Sequence, residues 1–264
     1  MKSKRGQITI FIIIGILIVV AVILLLMLFN KARPEPQVNV IEDPEGFLEQ
    51  CVNEKIEIGI EKIIENGGYI HVPELTMDFA YPKGYYKQGI FEDVAYLCYT
   101  AINYARCVVS EPVLISHLEK EISNFIEPRI EDCFEDFEAG LIKENYETDF
   151  DEGFEFNVEL IPGDVRVEID KKIELKRTGE FERYDDFEIN YETSLYDLAI
   201  LIQEIVRQEV RMCNSDYIDL MRANTWAKIE KYQTRDDKVY FVEDTRNGLE
   251  IVFALRNCVL GVPS

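Results

Sequence analysis

Six cysteines carry the clearest chemistry in this 264-residue chain: Cys51, Cys98, Cys107, Cys133, Cys213 and Cys258. An even number with no C-x-x-C pair points to disulfides, since zinc ligands come at closer spacing. Connectivity is open from sequence alone, and some of the six can equally be free buried thiols. The expected pairing joins Cys51 to Cys133, Cys98 to Cys107 and Cys213 to Cys258. Carboxylates are the second resource, with 50 Asp and Glu side chains. Asp149, Asp151 and Glu152, beside Gly153, form the one run whose oxygen ligands and glycine turn suit calcium, although EF-hand spacing is missing and a solvated loop reads equally well. Tyr81, Tyr85 and Tyr86 either face a ligand or pack over a sheet edge. The two histidines, His71 and His117, read as surface or packing residues.

The motifs of known enzyme classes are missing. The chain has no H-E-x-x-H, no G-x-S-x-G, no phosphate-binding loop and no dinucleotide fingerprint. A pair of carboxylates working as a surface hydrolase is a third-ranked reading, because 50 acids discriminate between no particular pairs. The expectation is a non-catalytic protein with no resident cofactor. No N-x-S/T sequon occurs either.

Charge and hydropathy set the location. Ile8 to Phe29 is an apolar run interrupted only by Thr9 and Gly15. As a helix it spans about 33 Å, enough for a bilayer core of about 30 Å. It ends in Leu26, Met27, Leu28 and Phe29, without the small residues of a signal-peptidase site, so it reads as a retained anchor. Lys2, Lys4 and Arg5 precede it and only Lys31 and Arg33 follow, which places the N-terminus in the cytoplasm and the rest outside. The whole chain holds 28 basic and 50 acidic side chains; the basic flanks take five of the former, so 23 basic face 50 acidic in the exterior part. That balance repels phosphate backbones and excludes nucleic acid as the default partner. The partners expected are the lipid bilayer, through residues 8–29, and a protein or a second copy of the chain.

Lys4-Arg5-Gly6-Gln7-Ile8-Thr9-Ile10, running straight into the apolar segment, resembles the archaeal class III signal peptide of type IV pilin-like proteins. The resemblance covers roughly the first 25–30 residues. It implies a cut by a prepilin-type peptidase between Gly6 and Gln7. The glutamate that this family carries five residues after the cut, where it pairs with a neighbouring subunit, is Phe11 here. Pro34 and Pro36 stop the helix at the membrane surface, where a pilin continues it. The remainder looks like uncharacterised membrane-anchored surface proteins of archaea.

The fold class expected is α+β: a transmembrane helix (1–30), a linker (31–44) and an exterior domain (45–264) of amphipathic helices on antiparallel meander sheets, with sub-units 45–145 and 146–264 as an option. Leu48, Val52, Ile56, Ile60 and Ile64 mark a first helix ended by Asn66-Gly67-Gly68. A short strand is expected over 69–72, a loop over 73–89 and a hairpin over 94–109. A second helix runs from near Pro112 to Leu141, kinked or split at Pro128. Alternation from Phe154 to Tyr191 predicts the meander. Ser194 with Asp197 caps a third helix whose inward stripe is Leu195, Leu198, Ile202, Ile205 and Val206. Three strands close the chain, the last two joined at Asn247-Gly248. The likeness of Phe47–Cys51 to Arg129–Cys133 raises an internal duplication, against chance likeness of two acidic helices.

Overall fold

The computed structural model describes residues 43–81, 90–177, 179–234 and 236–259, all within one compact unit. The apolar run 8–29, the Gly6/Gln7 junction, linker residues 31–42, Tyr85 and Tyr86 lie outside these residues. Among the described residues no helix is long and apolar enough to cross a membrane.

The domain is α+β. Helix α1 (Pro44–Glu65) opens on Asp43, whose carboxylate accepts from the Gly46 N–H at 2.9 Å, with Pro44 in the first turn. Its stripe Leu48, Val52, Ile56, Ile60 and Ile63 is buried. Gly67 ends it at φ 64°, and a Cβ there would stand 2.6 Å from the Val252 carbonyl, so glycine is required on both counts. The next segment is no strand. Its backbone is held by side chains instead: the Ile70 N–H donates to Glu121 at 2.7 Å, and the Tyr69 ring meets His117 edge-on at 4.6 Å. The expected loop, in turn, contains strand β1 (Thr76–Ala80), which pairs with β2 (Ile90–Tyr99).

Strand β2 and the short β3 (Val108–Val109) make the expected hairpin, closed by Cys98–Cys107. Helix α2 (Leu114–Lys143) runs through Pro128 without splitting. The Arg129 guanidinium donates to the Phe125 carbonyl and stacks 3.7 Å over its ring, bracing the turn that the proline disturbs. Strands β4 (Glu147–Phe150), β5 (Glu155–Ile161), β6 (Asp164–Arg177) and β7 (Glu180–Glu192) form an antiparallel sheet around β6, with β7 on one edge and β4 and β5 in succession on the other. Val165, Val167, Ile169, Ile173 and Leu175 face the core.

Helix α3 (Leu195–Met212) buries its predicted stripe. Ser194 occupies the cap position but makes no capping bond; its hydroxyl accepts from Asn247, and Thr193 takes the Leu195 N–H instead. A short helix, α4 (Tyr217–Ala223), precedes β8 (Ala227–Gln233), β9 (Lys238–Asp244) and β10 (Glu250–Leu255). The first sheet runs β1-β2-β10-β9-β8 with β3 also on β2. It is mixed, because β10 lies parallel to β2, whereas meanders alone were expected. That pairing interleaves the two ends of the domain, and α1 packs on both β7 and β10, so contacts cross the 145/146 boundary.

One apolar core joins both sheets with α1, α2 and α3. Strand β9 is buried on both faces, with Tyr240 and Val242 in the main core and Val239 and Phe241 in a smaller one.

Candidate functional site

The stripe that buries α3 continues past Ile205 and Val206 to Glu209, which is fully buried. A charge at that depth persists only if it is paired and hydrogen-bonded, and two strands supply the partners. Lys231 on β8 lies directly opposite Tyr240 on β9, and Lys238 sits two residues before Tyr240, on the same face. Lys231 Nζ donates to Glu209 Oε1 at 2.9 Å, and Lys238 Nζ donates to Oε2. The Tyr240 hydroxyl donates to Oε1, which also takes the Ser215 N–H at 3.2 Å. With its own proton committed, the Tyr240 oxygen accepts from the Ser215 hydroxyl at 2.8 Å.

The loop after α3 is shaped around this carboxylate. Cys213 takes the left-handed conformation at φ 58°, its N–H bonding the Glu209 carbonyl at 2.8 Å. Its own carbonyl accepts from Lys238 at 2.6 Å, and Asn214 Oδ1 accepts from Lys231 Nζ at 2.6 Å. The Asn257 amide donates to the Glu209 carbonyl and accepts from the Cys107 N–H at 2.8 Å. Two disulfides, Cys213–Cys258 and Cys98–Cys107, therefore bracket one polar network.

Electrostatics follow from this count of one carboxylate against two ammonium groups. Burial by itself pushes the Glu209 carboxyl up, but hydrogen bonds from Lys238, Tyr240 and Lys231 outweigh it and the net direction is down. The Tyr240 phenol is pushed up, by burial first and then by the Glu209 charge. Asp244 repeats the pattern on a smaller scale: burial raises it, and the bonds from Arg246 carry it below its usual value. A carboxylate whose folded pKa is depressed adds stability that is complete above its unfolded pKa and is lost as pH falls through the folded one. The unfolding midpoint is therefore expected to hold from about pH 7 to about pH 5 and to drop below about pH 4. Thermal scans across that range check it, and a midpoint unchanged down to about pH 2 contradicts it.

The other candidate residues do not converge on this cluster. Cys51–Cys133, Cys98–Cys107 and Cys213–Cys258 pair as expected, with Cα separations of 5.9, 5.4 and 5.7 Å, and no cysteine is free. Asp149 lies on β4, and Asp151 and Glu152 in the following turn, all exposed. At a bulge in β6, Lys171 donates to the Asp151 and Gly153 carbonyls at 2.8 and 2.9 Å, so the turn is held by an ammonium group of the chain itself. Among the described residues no group of His, Cys, Asp or Glu is arranged to hold a metal ion. Tyr81 packs in an aromatic cluster, its ring 5.3 Å from Phe79, 5.3 Å from Tyr232 and 5.5 Å from Phe241, on the small-core face of the first sheet. His117 joins Gly68 to Glu111 through its two ring nitrogens, at 2.9 and 3.2 Å, and His71 is exposed.

No protein-family model, curated protein or solved structure matches the chain.

A cleft and an acidic sheet face lie at the surface of the described residues. A cleft of about 430 Å³ lies between α3 and α4, lined by Tyr196, Asp197, Glu204, Arg207 and Trp226. Arg246 closes over the Trp226 ring at 4.9 Å and reaches Asp197 at 3.1 Å. On the second sheet, Glu155, Asp170 and Asp186 stand directly opposite one another across three strands, with Glu168 and Glu188 in the next row. Like charges in register weaken a sheet, and here all five carboxylates are exposed to solvent, which screens them, on strands that pair nonetheless. Glu209 and its lysines escaped the sequence reading. Their signal was a lone glutamate at the next position of an apolar stripe, and its partners lie 22 and 29 residues further on.

Proposed function

We propose that the chain is a single-pass, membrane-anchored surface protein whose extracytoplasmic α+β domain serves binding or assembly and not catalysis. Residues 8–29 form the anchor and the N-terminus faces the cytoplasm. The observation that carries this reading is the pairing of every cysteine, all of them beyond residue 50, into three disulfides. Such bridges persist in oxidising compartments and are rare where thiols are kept reduced. The polar network at Glu209 fits a structural role, because each of its charges is already satisfied internally. The acidic balance of the domain favours solubility and protein or cation contacts over anionic lipid or nucleic acid.

A second reading is a type IV pilin-like subunit, cut after Gly6 and assembled through its apolar helix. The Lys4–Ile10 pattern favours it, while Phe11 and the prolines at 34 and 36 favour a fixed anchor. The hydrolase reading gains no support from the Glu209 cluster, where both lysines neutralise the one carboxylate. Protease added to intact cells tests the proposal. The domain is expected to be degraded, leaving a membrane fragment that begins at Met1; a fragment beginning at Gln7 supports the pilin reading. A domain fully protected in intact cells and cleaved only after lysis overturns both.

A further inference from the structure

We propose that Lys231 and Asn214 become joined by an intramolecular amide bond, formed by the chain itself with Glu209 as the base. Lys231 Nζ lies 2.6 Å from Asn214 Oδ1 and 2.9 Å from Glu209 Oε1. With a carbonyl bond of about 1.2 Å, the Asn214 carbonyl carbon is at most about 3.8 Å from that nitrogen, close to the separation of a near-attack pair. The Lys231 side chain is 8% exposed and Glu209 is fully buried, so bulk water reaches little of the amine. The second lysine has no such electrophile within reach, since Lys238 bonds Glu209 and the backbone carbonyl of Cys213.

Geometry supplies the base for the step. Glu209 lies between the two lysine ammonium groups, with Oε1 on the Lys231 nitrogen and Oε2 on that of Lys238, so it is placed to take a proton from Lys231 directly. Glu209 accepts that proton, and the freed amine attacks Cγ of Asn214 to give a tetrahedral centre. A proton passes from the attacking nitrogen to Nδ2, the Cγ–Nδ2 bond breaks, and ammonia leaves; Glu209 returns its proton to the ammonia or to solvent. One C–N bond forms and one breaks, with no oxidant or further reactant. The product ties β8 to the loop ahead of α4, beside the Cys213–Cys258 bridge, and encloses α4 in a covalent ring that reductants do not open.

Intact mass of the fully reduced, alkylated full chain tests this. The wild type is expected to be lighter than its sequence by one ammonia, and digestion is expected to release a branched peptide joining residues 214 and 231. Lys231→Arg, which keeps the charge on Glu209 but removes the nucleophile, and Asn214→Ala, at an exposed position, should both carry their full sequence mass while retaining the circular dichroism of the wild type. Localisation matters because an N-terminal Gln7, if exposed by processing, also sheds ammonia on cyclising. A full-mass wild type, or a loss that maps anywhere other than 214 and 231, overturns the proposal.

Discussion

Replacing Glu209 by Leu is expected to lower the unfolding free energy by about 3–5 kcal/mol, the cost of breaking a buried ion pair from one side. The leucine fills the space but leaves Lys231, Lys238, the Tyr240 hydroxyl and the Ser215 N–H without their shared acceptor. Each stranded donor keeps its desolvation penalty after its bond is gone. The same argument gives a control with the opposite sign. Changing Lys231 and Lys238 to Met alongside Glu209→Leu removes the stranded ammonium groups, and the triple variant should recover much of the loss. Denaturant unfolding of the oxidised chain measures both. A loss below about 1 kcal/mol for Glu209→Leu, or a triple variant worse than the single, contradicts the view that this cluster is a satisfied buried network.

Removing Cys51–Cys133 is the second large effect. The bridge closes a separation of 82 residues between α1 and α2, and on the chain-entropy account its loss costs about 4.5 kcal/mol. The 9-residue Cys98–Cys107 loop is worth less on the same account, about 2.5 kcal/mol. Cys213–Cys258, with a separation of 45, falls between them. Paired Cys→Ala variants, compared by denaturant midpoint, should therefore rank in that order. Equal losses for the longest and shortest loops would contradict unfolded-state entropy as the main contribution. Cys133 is itself fully buried, so its alanine variant adds a small packing loss to the entropic one.

These pairings were legible in the sequence because local pattern places the cysteines. Cys51 and Cys133 each sit on the apolar stripe of a long amphipathic helix, and helices that bury such stripes against one another bring them together. Cys98 and Cys107 flank a hairpin only nine residues apart. The meander was legible for a similar reason: alternation from Phe154 to Tyr191 has a period of two over the three strands β5, β6 and β7, and Gly163, at φ 96°, marks a turn between two of them. What escaped depends on distant partners. Strand β1 exists because β2 offers it an edge, and its five residues lie in a stretch whose Pro, Gly and Tyr content reads as loop. The residues from Tyr69 to Val72 look strand-like but find a carboxylate of α2 instead of a ladder. The parallel pairing of β2 with β10 joins segments more than 150 residues apart, as in Ala254 opposite Tyr96. Ser194 and Asp197 carried the pattern of a capping pair, yet Asn247 and Arg246 from the final turn claimed both side chains. Glu209 was the costliest omission, because a single acid on an apolar stripe declares a buried partner before that partner can be located.

The account stands on the oxidised state of the six cysteines, and thiol counting reads it directly. Cells producing the full chain are treated with a membrane-permeant alkylating agent before lysis, and the intact mass is compared with that of chain reduced before alkylation. The account predicts no alkyl groups on the first sample and six on the second. Six alkyl groups on both would mean a reduced protein, and would contradict the three bridges together with the extracytoplasmic placement they support.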